Sequence, residues 1–314
     1  MDESAFIASL RALATHPAAR GLLDDAAVLE IGGERLVLTH DMIVEGVHYL
    51  PEDPPEDVAW KLVAVNLSDL AAKGARPTGA LLGYALGEAE WDIAFAEGLT
   101  TALTAFELPL LGGDTVAMPA GAPRALGLTA LGLAGARVPS RSGARPGDQL
   151  WLSGAIGDAG TGLALLQRGE SEPADLVERY RLPRPRLEAG QRLAPMVNAM
   201  MDVSDGLLID AARMAAASAC AARIDLESLP LSDALLALHG DRRETRLAAA
   251  SAGDDYELLF AAAPDAAAAI LALAEETGLG LTRIGAFIAG RGLSLFDRSD
   301  PVPLPARLGF EHRA

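Results

Sequence analysis

The residues with the most chemical capacity in this sequence are aspartates that close apolar runs beside small residues. Five segments share the pattern: Leu22-Leu23-Asp24-Asp25-Ala26, Val37-Leu38-Thr39-His40-Asp41, Leu111-Gly112-Gly113-Asp114-Thr115, Met201-Asp202-Val203-Ser204-Asp205-Gly206 and Ala252-Gly253-Asp254-Asp255-Tyr256. Another aspartate, Asp69, follows Asn66 by three positions in an otherwise apolar stretch, so a helix there sets both on one face. Taken singly, such residues cap helices or close turns. Taken together, carboxylates in apolar surroundings are costly to bury unpaired. Two of them ~4 Å apart repel by roughly 4 kcal/mol at an effective dielectric of 20. If these segments converge, divalent cations are expected between them.

The residue types narrow the cation. The chain has five histidines and one cysteine, with no zinc-type spacing among them. An oxygen-dominated set suits Mg²⁺ or Mn²⁺. Mg²⁺ bridges protein carboxylates and substrate phosphates, which reconciles a formal net charge of -17 with a phosphorylated ligand. Glycine-rich turns at Gly112-Gly113 and Gly154 to Gly162 let backbone approach phosphate oxygens closely. There is no Walker A sequence, which argues against a P-loop NTPase.

The same acidity argues against nucleic acid and anionic membranes as partners. Cys220, the one cysteine, excludes an internal disulfide and fits a reducing compartment. Met1 to Arg20 carries Asp2 and Glu3 without a basic region, and reads as a short amphipathic helix and not a signal peptide. The longest apolar candidate, Ala261 to Ala274, is broken by Pro264 and Asp265, short of the ~18 residues of a membrane span. A cytoplasmic protein is expected.

The elements that must hold these residues alternate between strand and helix. Ala26 to Ile31 and Arg35 to Thr39 meet at Gly32-Gly33, a hairpin signal. Val58 to Ala72 reads as a helix stopped by Gly74, Thr78 to Leu86 as a strand, Asp92 to Glu107 as a helix, and Pro109 to Leu111 and Arg124 to Ala136 as strands. Pro139 to Gly147 has linker composition. Strands follow at Gln149 to Ser153, Ala199 to Val203, Arg223 to Leu226, Tyr256 to Ala262 and Leu281 to Ile288. Helices are expected from about Asp158, over Asp175 to Tyr180, Pro185 to Val197, Gly206 to Ala219 and Pro264 to Thr277. Both halves are thus α/β or α+β layers.

Specific segments then carry a resemblance. LLDDAAVL (22–29), LTHDMIVEGVHY (38–49), WKLVAVNLSDLAAKGARP (60–77), LLGGDT (110–115), RSGARPGD (141–148), SGAIGDAGTGL (153–163), RPRLEAG (184–190), MDVSDGLLID (201–210) and SAGDDYELLF (251–260) span nearly the whole chain. In these, the chain resembles the thiamine-monophosphate kinases, a family of the aminoimidazole ribonucleotide synthetase-like superfamily. The resemblance implies a two-domain α/β (α+β) fold of mixed sheets flanked by helices. Residues 1–138 would form an ATP/Mg-binding and dimerisation domain, and 139–314 an α/β domain completing the ATP and substrate site. It also implies a homodimer and direct, Mg²⁺-assisted in-line transfer from ATP to thiamine monophosphate, the last step of thiamine diphosphate biosynthesis.

By the same resemblance, Asp25, Thr39, His40, Asp41, Asp69, Asp114, Asp202 and Asp205 would bind several Mg²⁺ ions, with Asp41, Asp69 and Asp114 central to catalysis. Gly113, Asp114, Arg141 and Ser204 would contact ATP, and His48, Asp254 and Phe310 the substrate. Two positions depart from the family pattern. His40 stands where Thr is usual, and Asp254 stands where Glu is usual, one methylene shorter.

Overall fold

The computed structural model describes residues 3–119 and 121–312. The first helix, α1 (Glu3–Leu10), is shorter than the Met1–Arg20 reading; Met1 and Asp2 lie outside the described residues. The step before Pro17 disfavours helix at His16, which sits at ψ 135°, and the chain resumes as a 3-10 segment over Pro17–Leu22. Strands β1 (Ala27–Ile31) and β2 (Glu34–Val44) form the expected hairpin. Gly32 and Gly33 supply the two positive φ angles, 60° and 89°, of its two-residue turn.

β2 outruns its expected end at Thr39 because β5 (Ala125–Ala134) pairs with it from Arg35↔Ala134 to Val44↔Ala125. Asp41 is therefore a mid-strand residue and not a strand terminus. β3 (Ala75–Leu86) and β4 (Leu110–Ala117) complete a five-stranded sheet of order β1-β2-β5-β3-β4. α2 (Pro55–Ala72) and α3 (Ala89–Ala105) pack together, with α2 laid across β2, β5 and β3. The opposite face of the sheet is uncovered: Met42 is 51% exposed, Leu81 43% and Val116 52%.

The second domain is a seven-stranded sheet of order β12-β11-β8-β10-β6-β9-β7. Its strands are β6 (Gln149–Ser153), β7 (Ala199–Val203), β8 (Ala221–Asp225), β9 (Glu257–Ala262), β10 (Leu281–Ile288), β11 (Gly292–Asp297) and β12 (Asp300–Val302). Helices α4 (Asp158–Gln167), α5 (Ala174–Arg181), α6 (Leu187–Leu193), α7 (Leu207–Ala217), α8 (Asp233–His239), α9 (Arg243–Ser251) and α10 (Ala267–Thr277) flank it. Among the described residues, no helix is long and apolar enough to cross a membrane.

α2 joins the two domains. Val63 and Leu70 belong to the first core, while Ala71 and Ala72 pack in the second with Leu193 and Met200. A helix claimed from both sides must be apolar almost all round, and α2 is buried at nearly every position from Val58 to Ala72. Its last turn is met by Gly190 of α6, where a Cβ would collide with the Ala71 carbonyl oxygen. Gly190→Ala should therefore destabilise the protein by about 1–3 kcal/mol, the usual cost of overpacking. Urea denaturation measures this; an unchanged midpoint would refute the close approach.

Candidate functional site

Because α2 has almost no solvent side, each of its polar groups needs a protein partner. Asn66 Oδ1 accepts the Asp41 backbone N–H at 2.9 Å, and its amide donates to the Leu62 carbonyl at 2.9 Å. Ser68 Oγ donates to Asp202 Oδ2 at 2.6 Å. Thr39 Oγ1 donates to Asp69. These bonds draw β2, α2 and β7 together, and β7 is the edge strand of the second sheet that lies against α2.

The result is a cluster in which Asp25, Asp69 and Asp202 each bring a carboxylate oxygen within 4.8 Å of the other two. The chain has only two lysines, Lys61 and Lys73, and both are buried, one in α2 and one immediately after it. Lys73 Nζ lies 2.6 Å from Asp24 Oδ1 and 2.6 Å from Asp25 Oδ2, and donates to the Met200 carbonyl at 3.2 Å. Arg20 pairs with Asp24 at 2.5 Å, and Arg141 pairs with Asp25. Burial opposes ionisation of Asp24 and Asp25, yet these cations hold both carboxyls below the usual range. Burial also works against the Lys73 charge, and the two aspartates outweigh it.

The other end of the cluster lacks this compensation. Among the described residues, no cation pairs with Asp69 or Asp202; hydroxyls alone meet them. Burial, with Asp41, Asp202 and Asp25 nearby, pushes Asp69 well above an ordinary carboxyl. Burial and Asp25 push Asp202 to about 8. Asp41 rises to about 6 through burial, which overrides the opposing pull of His40 and is reinforced by Asp25 and Asp205. This all-oxygen donor set, uncompensated on one side, fits a hard divalent cation.

The cluster forms one wall of a cavity of about 800 Å³, within the range of small-molecule sites. The expected residues Asp25, Asp41, Asp69, Arg141, Asp202, Ser204, Asp205, His48, Asp254 and Phe310 all line it. Loop 45–53 brings His48 there: Asp53 accepts from Leu50 N–H, Tyr180 Oη and Arg181 Nε at 2.8, 2.9 and 3.0 Å, tying the loop to α5. His48 Nδ1 accepts the Val44 N–H at 3.0 Å, so its proton sits on Nε2. Asp254 is gripped by Lys61 Nζ at 2.9 Å and Tyr256 Oη at 3.1 Å, and Lys61 stacks 3.9 Å over the Tyr180 ring. Asp254 and Tyr256 both adopt positive φ, 69° and 50°, a strained backbone held by Ser204 O and Val203 O.

Other expected residues are not brought into the cavity. Thr39 sits behind Asp69 at 5% exposure. The pleat of β2 sends Thr39 and Asp41 toward α2 and His40 to the opposite face, where its Nδ1 lies 2.9 Å from Thr129 Oγ1. The His40 imidazole therefore does not reach the cluster, which leaves its backbone carbonyl as the donor to consider. Gly113 and Asp114 lie on β4, separated from β2 by β3 and β5, and Asp114 is exposed.

Sequence reasoning missed Lys73, Asp210, Arg213 and His312. Lys73 reads as a solvated helix end, and Asp210 as an ordinary acid in the first turn of α7. Asp210 is instead buried, holds the Asp205 N–H at 3.2 Å and Arg213 at 2.9 Å, and is pushed to about 7 by burial and Asp205. The His312 ring, 5.2 Å from His48 and edge-on to Phe310 at 4.9 Å, is placed by a C-terminal segment that carries no periodic signal.

Comparison with known proteins follows the same division of the chain. The AIR synthase related protein N-terminal domain family matches residues 23–134, and the corresponding C-terminal domain family matches 145–298. The thiamine-monophosphate kinase of Caulobacter vibrioides is 43% identical, over 94% of this chain and 86% of its own. The crystal structure of thiamine-monophosphate kinase from Stenotrophomonas maltophilia K279a superposes with a TM-score of 0.79 at 40% identity, covering 94% of this chain and 95% of that one. AaThiL complexed with AMPPCP and TMP gives a TM-score of 0.85 at 30% identity, covering 99% of this chain and 97% of that one.

The raised carboxyls set a pH dependence. Asp41 and Asp202 titrate at 3.8 when unfolded, and at about 6 and about 8 when folded. The stability each contributes is full below 3.8 and is lost as pH rises through its folded value. Without divalent cation, the melting temperature should therefore decline from mildly acidic to mildly alkaline pH, and saturating Mg²⁺ should remove most of that decline. Mg²⁺ binding should also expel protons near neutral pH. Calorimetric titration in buffers of different ionisation enthalpy reads the release; buffer-independent heats would contradict protonated carboxyls in the cluster.

Proposed function

Since the chain belongs to the thiamine-monophosphate kinase family of AIR synthase related proteins, we propose that it transfers the terminal phosphoryl group of ATP to thiamine monophosphate, giving thiamine diphosphate and ADP. The observation that carries this reading is the carboxylate cluster of Asp25, Asp69 and Asp202 in the wall of a cavity that also presents Arg141 and His48.

Phosphoryl transfer asks for positioning and charge neutralisation more than for covalent chemistry. The acceptor is a phosphate oxygen that is already anionic, so no strong base is needed. Asp25, Asp69 and Asp202 would hold Mg²⁺, with Asp41 and Asp205 beside them; bound metal supplies the positive charge that offsets repulsion between donor and acceptor phosphates. Asn66 fixes the strand that carries Asp41, and Ser68 fixes Asp202. Arg141 adds a cationic arm for ATP, with Ser204 nearby. His48, Asp254 and Phe310 form the acceptor end. There the Lys61 and Tyr256 bonds hold the Asp254 carboxylate in place.

The uncovered apolar face of the first sheet supports a homodimer, because a sheet face of this composition is normally buried. Gly113 and Asp114, on the edge strand of that sheet, would then reach a carboxylate cluster only from the other copy. Asp69→Asn and Asp114→Asn proteins should each be inactive, and unfolding and remixing them should restore turnover, because one mixed site carries neither change. Failure of remixing to restore activity would place Asp114 outside the shared site.

ADP release measured with and without thiamine monophosphate tests the reaction itself. Acceptor-dependent ADP is expected. ADP and inorganic phosphate without acceptor would indicate a phosphohydrolase, and nucleotide binding without release would indicate a sensor. Asp41→Ala and Asp69→Ala should abolish turnover while preserving the circular dichroism of the fold.

A further inference from the structure

Arg213 projects from α7 into the cavity wall, beside residues already assigned to the nucleotide. Its Nη1 alone makes the ion pairs seen here, 2.5 Å to Asp205 Oδ2 and 2.9 Å to Asp210 Oδ1. Among the described residues, its Nε and Nη2 have no hydrogen-bond partner, although the side chain is only 31% exposed. A guanidinium carries five donors in a fixed fork, and arginines that brace the fold elsewhere engage one, two or three of its nitrogens. Arg186 clasps Glu257 with Nε and Nη2, and Arg246 engages Asp241, Leu226 O and Leu229 O with all three nitrogens. Arg213 uses one nitrogen and leaves the rest of the fork open beside the cavity.

Arg141 shows the same half-use. Its Nη2 pairs with Asp25, and its Nε is buried with no hydrogen-bond partner. Both arginines act on buried Asp210, so the two half-used forks stand near one carboxylate. Each is also paired, through its engaged nitrogen, to an aspartate proposed to hold metal: Asp25 for Arg141 and Asp205 for Arg213. Two cations with spare, preorganised donors on one cavity suit a ligand with several adjacent anionic oxygens.

We propose that Arg213 is a second phosphate-binding arginine, which with Arg141 grips the polyphosphate of the nucleotide. Asp210 is its positioning residue: buried and bonded to Arg213, it keeps the guanidinium at the cavity before nucleotide arrives. Metal at Asp205 would compete for the Arg213 contact and free more of the fork for phosphate, so nucleotide and metal would bind cooperatively through this residue. The inference rests on the nucleotide-binding part of the reading above and on no detail of the acceptor.

The test compares wild type, Arg213→Gln and Arg213→Lys. Binding of a non-hydrolysable ATP analogue in saturating Mg²⁺ is measured by calorimetry, and KM for ATP and for thiamine monophosphate by ADP release. Loss of charge-assisted bonds to phosphate should weaken analogue binding by about ten-fold or more in Arg213→Gln. KM for ATP should rise in parallel and that for thiamine monophosphate should stay nearly constant. Arg213→Lys, which keeps the charge and loses the fork, should fall between, and it decides the matter if Arg213→Gln does not fold. Unchanged analogue binding, or a rise confined to the acceptor KM, overturns the assignment. If wild type releases no acceptor-dependent ADP while analogue binding still depends on Arg213, the arm stands and the kinase reading falls.

Discussion

Lys73 donates into the Asp24-Asp25 pair from a position without solvent contact, and the surrounding architecture makes that interaction tolerable. An ammonium buried alone would be heavily penalised, as would either carboxylate. Together they form a compact, hydrogen-bonded group that also takes in Arg20, Arg141 and the Met200 carbonyl, and so joins the first domain, the linker and β7. Across the cluster, Asp69 and Asp202 have no such company among the described residues. The site is thus compensated from within on one side and open to an added cation on the other. That asymmetry lets the acidic cluster fold, and it leaves an all-oxygen end that suits an added cation.

The seam between the domains follows from the same chemistry. α2 carries Asn66, Ser68 and Asp69 on the surface it presents to β2 and β7, and Lys61 one turn earlier toward α5 and Asp254. The Ser68–Asp202 and Lys61–Asp254 contacts cross from α2 to the second domain, so the domains are fastened by groups that line the site. Glycine at 190 permits the backbone approach that brings them close enough. The walls of the cavity are accordingly built from residues of both domains.

Much of this was legible in the sequence, and the gaps have identifiable causes. Four of the five aspartate segments, with Asp69, meet at one cavity because apolar runs bury their ends, whereas Asp114 stays exposed on β4; β6, β7 and β10 fell at their expected bounds. α8 and α9 escaped notice: the seven residues of α8 are too few to show a period, and α9 is rich in charge. β11 opens at Gly292, just after Gly290, and this glycine-rich start reads as loop; β12 has only three residues. The orientation of His40 depended on the pleat of a strand whose end was set by its partner β5, beyond the reach of local pattern. The open forks of Arg141 and Arg213 are a matter of which donors are left over, and only coordinates reveal that.

The scarcity of lysine gives the molecule an unusual chemical exterior. Its surface cations are guanidinium groups, while both ε-amino groups sit in the seam, at 2% and 0% exposure. Acylating reagents that decorate most proteins would find no side-chain amine on the outside of this one. Their slow reaction at Lys61 and Lys73 would instead report how often the seam breathes, a built-in clock for local opening between the two domains.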